Sequence, residues 1–213
     1  MIGITADKSG NGHHFTKTGL VATDKTLDSP TNNFSVMNNV SDVGNTALSE
    51  GNLVCTNTAD SWPSVFSTMG MTSGKWYFEA YGTDVTRFAV GIAPKEFTTT
   101  DFDVESGAYA AYSTDPLTLY NNASSASAIN GTPAFVAGNI LGFAIDIDAG
   151  KMWIAINNTY VNDSGGDAGT PAAGNDPVMT FTAGTEMFVQ TAINRANVRF
   201  NFGQDSSFAG GKT

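Results

Sequence analysis

Residues 141–158 read LGFAIDIDAGKMWIAINN, and the fold follows from their periodicity. Leu141, Phe143, Ile145 and Ile147 fall on one face of an extended chain, and after a short break the apolar face resumes at Met152, Ile154 and Ile156. Strict alternation on both sides of a turn is the pattern of two antiparallel strands with one face buried. The turn is Asp148-Ala149-Gly150-Lys151. Gly150 supplies the positive φ a tight connection needs, and Asp148 is placed to accept hydrogen bonds from the turn's amides. Asp146 then lies on the outer face, near Lys151 or Trp153 across the strand pair. Both carboxylates have a structural role in this reading. Glycoside hydrolysis would need acids facing one another across a cleft, with environments that separate their pKa values.

The same period recurs along the chain. In GKWYFEAYG (74–82), Trp76, Phe78 and Ala80 point inward; in RFAVGIA (87–93), Phe88, Val90 and Ile92 do; in NVRFNFGQ (197–204), Val198, Phe200 and Phe202 do. Weaker strand signals lie at 52–56, 109–112, 118–120 and 186–192. No window of eleven residues carries an apolar stripe at helical spacing, and the 23 glycines would penalise a helix. Many short strands punctuated by Gly, Asn and Asp predict an all-β protein, an antiparallel β-sandwich with loops clustered at its ends. Residues 1–32 lack periodicity and read as an extended arm for attachment or oligomerisation, and residues 33–213 as the sandwich.

Of the 213 residues, 41% are hydrophobic and only 14% charged, with 14 phenylalanines: ample core, and little of the Glu, Lys and Arg that fills exposed helices. A net charge of −10 argues against nucleic acid and anionic lipid as partners. The lone Cys55 forms no internal disulfide and reads as a small buried hydrophobe. The sequence shows neither an export signal nor a membrane-spanning run, so a soluble chain is expected, reaching a cell's exterior only within an assembly or on lysis.

Candidate site residues follow from residue type. Tyr109, Tyr112 and Tyr120, with Asn121 and Asn122, offer aromatic plates and amides, the combination that binds sugars; strand tyrosines followed by an Asn-Asn turn give the same letters. Trp62 and Arg87 read either as core-edge residues or as anchors on a rim. The loop NDSGGDAG (162–169), continuing to GND (174–176), brings Asp163 and Asp167 into a long stretch poor in hydrophobes. Such loops carry function and can hold calcium, though the EF-hand pattern with its closing Glu is absent; otherwise no cofactor is expected. His13 and His14 sit in a turn-rich segment with no further ligand at zinc spacing. No Gly-x-Ser-x-Gly elbow, Cys–His pair or phosphate loop occurs, so no enzyme is expected. The acids Asp101, Asp103 and Glu105 are the remaining candidates for glycan cleavage.

With these segments identified, the chain resembles a SPRY (B30.2-like) domain. SGKWYFE (73–79), FAVGIAP (88–94), LGFAIDIDAGKMWIAINN (141–158) and VRFNFGQDSSF (198–208) stand in that family's order and spacing, over roughly two-thirds of the chain. The resemblance implies a bent sandwich of concanavalin-like jelly-roll type, without a family-wide catalytic centre, that binds partners through loops at one edge. A preceding PRY-type segment is not recognisable, and Glu186-Met187-Phe188-Val189 replaces a Phe-Pro-Ala-like run. The segments DKSGNGHHFT (7–16) and DSPTNNFSVMN (28–38) look like those of structural proteins of tailed bacteriophages, notably fibre and tail proteins. Together these resemblances imply a virion module without signal peptide that meets other virion proteins, copies of itself and a host surface glycan. A virion glycan-degrading enzyme and an intracellular adaptor binding a short peptide are the alternatives.

Overall fold

A computed structural model describes residues 6–16, 18–19, 31, 33–41, 44, 46–84, 86–94, 106–114, 116–122, 124–128, 135–161 and 169–212. Among the described residues fourteen strands form two antiparallel sheets. The first contains β1 (Ala47–Ser49), β2 (Val54–Asn57), β14 (Ala196–Asn201), β4 (Lys75–Gly82), β9 (Ile140–Asp146), β10 (Lys151–Ile156) and β11 (Thr159–Tyr160), in that spatial order, with β12 (Met179–Thr180) also on β10. The second runs β3 (Ser64–Met71), β13 (Met187–Ile193), β5 (Phe88–Ala93), β6 (Tyr109–Tyr112), β7 (Thr118–Asn121), β8 (Ser124–Ala128). Among the described residues the helical content is a single 3-10 turn at Asn39–Ser41, and no helix is long and apolar enough to cross a membrane.

The hairpin expected at residues 141–158 is β9–β10, in register from Asp146↔Lys151 to Leu141↔Ile156. Leu141, Phe143, Ile145, Met152, Ile154 and Ile156 all enter the core between the sheets, and Gly150 takes φ +62°. One detail differs from expectation. The turn amide of Ala149 donates to Asp146 Oδ1 (2.9 Å), not to Asp148, whose side chain is exposed. The last residue of the strand therefore closes the turn, and its other oxygen lies 3.8 Å from Lys75 Nζ on β4.

Phe78 stacks on Phe143 across β4 and β9, with ring centroids 4.6 Å apart, and Phe88, Val90, Ile92, Val198, Phe200 and Cys55 complete the interior. Phe202 packs against this core from its margin. Trp76, near the start of β4, departs from its expected inward place: it is 41% exposed. Trp153 reverses the pattern. It projects from the outer face yet is 1% exposed, since residues 169–176 fold over it and Asn175 O accepts its indole N–H at 2.6 Å. Gly169 permits the approach: a Cβ there would lie 2.5 Å from Trp153 Cδ1.

Residues 33–41 seal one side of the sandwich. Met37 bridges Ser67, Thr68 N–H donates to Val36 O (2.8 Å), and Asn38 N–H donates to Phe66 O (2.7 Å), so this segment lies along the edge strand β3. Met37 N–H also reaches Asn52 O, and Gln204 Nε2 donates to Ser35 O, tying it to the first sheet. A second apolar cluster covers the outer face of the second sheet: Phe66, Ala89, Ala93, Ala108, Ala110, Phe188 and Ala192, with Trp62, Tyr112 and Tyr120 packed against it.

Candidate functional site

Sheet order decides which loops share an end. β2 ends, β3 begins, β4 ends, β5 begins, β6 ends, β7 begins, β13 ends and β14 begins at the same edge of the sandwich. Three of the connections there (58–63, 83–87 and 194–195) carry the chain from one sheet to the other. This rim is braced from within. Ser113 Oγ accepts from the amides of Arg87 and Phe88, both at 3.1 Å, and Asn57 Nδ2 donates to Ser61 O (2.8 Å) and Ile193 O (2.9 Å).

On that frame four of the sequence-derived candidates meet. Trp62 stands edge-on to Tyr112, with centroids 5.7 Å apart and planes at 67°, and Tyr112 lies 5.8 Å from Tyr120. The three rings form a half-buried row resting on the alanine-rich outer cluster. Small side chains at Ala89, Ala110 and Ala192 let the rings lie low on the sheet, and their contact area and edge-to-face geometry both favour the arrangement. Tyr112 O–H donates to Thr86 O (2.9 Å). Burial raises its ionisation above the usual phenol range, with the Arg87 charge pulling the other way.

Arg87 heads a polar chain beside this row. Its Nη1 donates to Asn194 Oδ1 (3.0 Å), Asn194 Nδ2 donates to Asp60 Oδ1 (3.2 Å), and Asp60 Oδ2 lies 3.2 Å from Arg195 Nη2. Three inter-sheet loops are thereby cross-linked. The Asp60–Arg195 pair is more than half exposed at both ends and contributes little to stability, but it presents a fixed carboxylate and guanidinium to solvent. Beside it a shallow groove is lined by Thr56, Asn57, Asp84, Arg195 and Asn197. Asp60, Asn194 and Arg195 escaped sequence reading because no motif marks them. The one available signal was Asn194-Arg195 between a weaker and a strong strand run, which identifies a turn but not its neighbours.

The other candidates separate from this rim. Tyr109, one residue out of phase with Tyr112 on β6, points into the core against Phe181 (5.7 Å) and is buried. Asn121 and Asn122 lie at the far end of the β6–β7 pair. Asn122 takes φ +53° and accepts from Gly107 N (2.8 Å) and Ser106 Oγ (3.1 Å), so its amide oxygen secures a loop. Asp163, Asp167, Asp101, Asp103 and Glu105 fall outside the described residues. His14 Nδ1 accepts the Asp7 amide (3.0 Å), and no three His, Cys, Asp or Glu converge on a metal-sized site among the described residues.

No family model and no curated protein matches the chain at the level of sequence. Solved structures do match its shape. The human HERC1 SPRY domain superposes with a TM-score of 0.59 at 12% identity, spanning 79% of this chain and 99% of that one. The TRIM65 PSpry domain gives 0.58 at 15% identity, spanning 79% and 92%. Two antiparallel sheets in this order, built from the four segments whose sequence resembles SPRY motifs, make the fold SPRY-like.

Proposed function

We propose that the chain is a non-enzymatic recognition module which holds a protein partner against the rim formed by Trp62, Arg87, Tyr112 and Tyr120. The convergence of an aromatic row with an exposed, cross-braced charge chain carries this reading. Tryptophan, tyrosine and arginine set on a rigid frame are the residue types that dominate binding energy at protein interfaces, and bracing them before contact lowers the ordering cost. Asp60 is engaged by Asn194 and Arg195, and Asp146 by its turn and Lys75, which suits a binding role for this surface.

The setting that fits best is a tail or fibre of a tailed phage, with a neighbouring virion protein as the partner. The phage-like segments at 7–16 and 28–38, the acidity and the single cysteine support it. Display in several copies would turn weak rim contacts into useful avidity. Binding of the purified chain to separated proteins of such a particle, and to a glycan array, tests the proposal. Trp62→Ala with Tyr112→Ala should weaken capture of the protein partner by tenfold or more, on the order expected for two aromatic anchors. Undiminished capture by this double variant, or binding to glycans alone, would overturn the assignment.

A further inference from the structure

At the opposite end of the sandwich the arm enters the fold through a fork. Residues 36–38 run along β3, and Ser35 Oγ still lies 3.5 Å from Thr68 Oγ1, but upstream of Ser35 the chain turns toward Gly203. Ser35 O is held by Gln204 (2.8 Å), and the ring of Phe34 covers Gly203, where a Cβ would approach it to 3.0 Å. Between the departing segment and β3 opens an apolar crevice of about 90 Å³, lined by Phe34, Met69, Met71, Trp76, Phe78 and Phe202 among others. Trp76 stands at its mouth, with its indole N–H fixed to Ser73 O (2.7 Å). Paired methionines make such a wall adaptable to an incoming side chain.

The arm carries a matching feature. Residues 7–14 form a turn closed on itself: the Asp7 carboxylate accepts from Ser9 N, Ser9 Oγ and His13 N, and the Asp7 amide donates to His14 Nδ1. The bond from the Ser9 hydroxyl most of all, and then those from the Ser9 and His13 amides, hold the Asp7 carboxyl below its ordinary pKa. The turn is closed by its own bonds, and the residue that follows it, Phe15, is 79% exposed. Charge also separates arm from body. Residues 1–32 contain three lysines and three aspartates, so the whole net charge of −10 resides in residues 33–213. Two bodies repel one another, whereas a neutral arm approaches a neighbouring body without that opposition. The chain between Thr16 and Asn33 spans up to about 60 Å when extended, more than the roughly 40 Å breadth of a domain of this size.

We propose that Phe15 of one copy docks into the crevice of a second copy, so that the arm links subunits of an assembly. This rests on the reading of the chain as a repeated component, but it uses the end of the sandwich remote from the partner-binding rim. Light scattering on the full chain over a wide concentration range should give a mass above the 22.3 kDa of one copy. Phe15→Ser and Trp76→Ser, both at exposed positions, should each raise the dissociation constant roughly ten- to a hundredfold. Mixing the two variants should partly restore association, because each retains the half the other lacks. A wild-type chain that stays monomeric overturns the proposal, as does an oligomer whose mass is unchanged in both variants. A monomer in which Phe15→Ser shifts Trp76 fluorescence also overturns it, by placing the arm in its own crevice. Rim variants tested in parallel keep the two ideas apart: loss of partner capture with assembly intact, or the reverse, identifies which one fails.

Discussion

A methyl group distinguishes two kinds of glycine in this fold. At Gly91 a Cβ would run into the backbone carbonyl of Tyr109 and lie 2.5 Å from Ala110 Cα, so β5 and β6 must part to admit it. Gly91→Ala should cost roughly 1–3 kcal/mol or more in urea unfolding. At Gly142 the obstacle is the hydroxyl end of Tyr77, 2.5 Å away, which can swing aside. Gly142→Ala should therefore cost less than about 1 kcal/mol. It should also lower the highest step in the tyrosinate absorbance titration, because Tyr77 owes its strongly raised pKa first to burial and then to the charge and hydrogen bond of Glu79. Asp205 gives a pH-dependent case. Burial raises its pKa, but bonds from Ser207 Oγ, Ser207 N and Ala209 N outweigh that and leave it below 3.8. A carboxyl depressed in the folded state contributes stability at higher pH and loses it as pH falls through the folded value. The thermal midpoint should drop more steeply between about pH 4 and pH 2 in the wild type than in Asp205→Asn. Residue type and alternation gave the direction of most side chains in the strongly alternating strands β4, β5, β9, β10 and β14 in advance. They did not disclose Trp76 or Trp153, because alternation gives the face a residue occupies and not how far the opposing layer or a covering loop extends.

Within the β9–β10 hairpin, the two aspartates should behave differently. Asp146→Ala removes a turn hydrogen bond and a neighbour of Lys75, and should destabilise by about 0.5–1.5 kcal/mol. Asp148→Ala should stay within about 0.5 kcal/mol of wild type, with the urea midpoints of the two variants deciding between them. Strong strands were legible because one face was apolar and the other polar. β3, with sequence SVFSTMGM, was not: its first four residues are buried on both faces, and a register shift in its pairing with β13 breaks the period of two. The short strands β1, β11 and β12 lack the length to show a period at all. The candidate site was half legible for a similar reason. Trp62, Arg87, Tyr112 and Tyr120 announce themselves as residue types, whereas their meeting with Asp60, Asn194 and Arg195 depends on three crossings between sheets that local sequence does not encode.

For the whole molecule, the most consequential pairing is that of the last two strands. β13 lies between β3 and β5 in one sheet, and β14 lies between β2 and β4 in the other. Removing residues from Met187 onward should leave no cooperative unfolding transition, since both sheets would lose an interior strand; a sigmoidal urea curve from such a truncated chain would contradict this. Ribosomal synthesis adds a temporal side. Until about residue 201 has emerged, β3 faces β5 and β2 faces β4 across gaps, each with unsatisfied backbone groups and bare apolar faces. Folding must then wait until both of these strands have emerged and must bring together partners roughly a hundred residues or more apart, a topology that folds slowly. The nascent protein spends that interval with four open strand edges, so its yield in a cell should depend on chaperone capacity and growth temperature more than the stability of the finished sandwich would suggest.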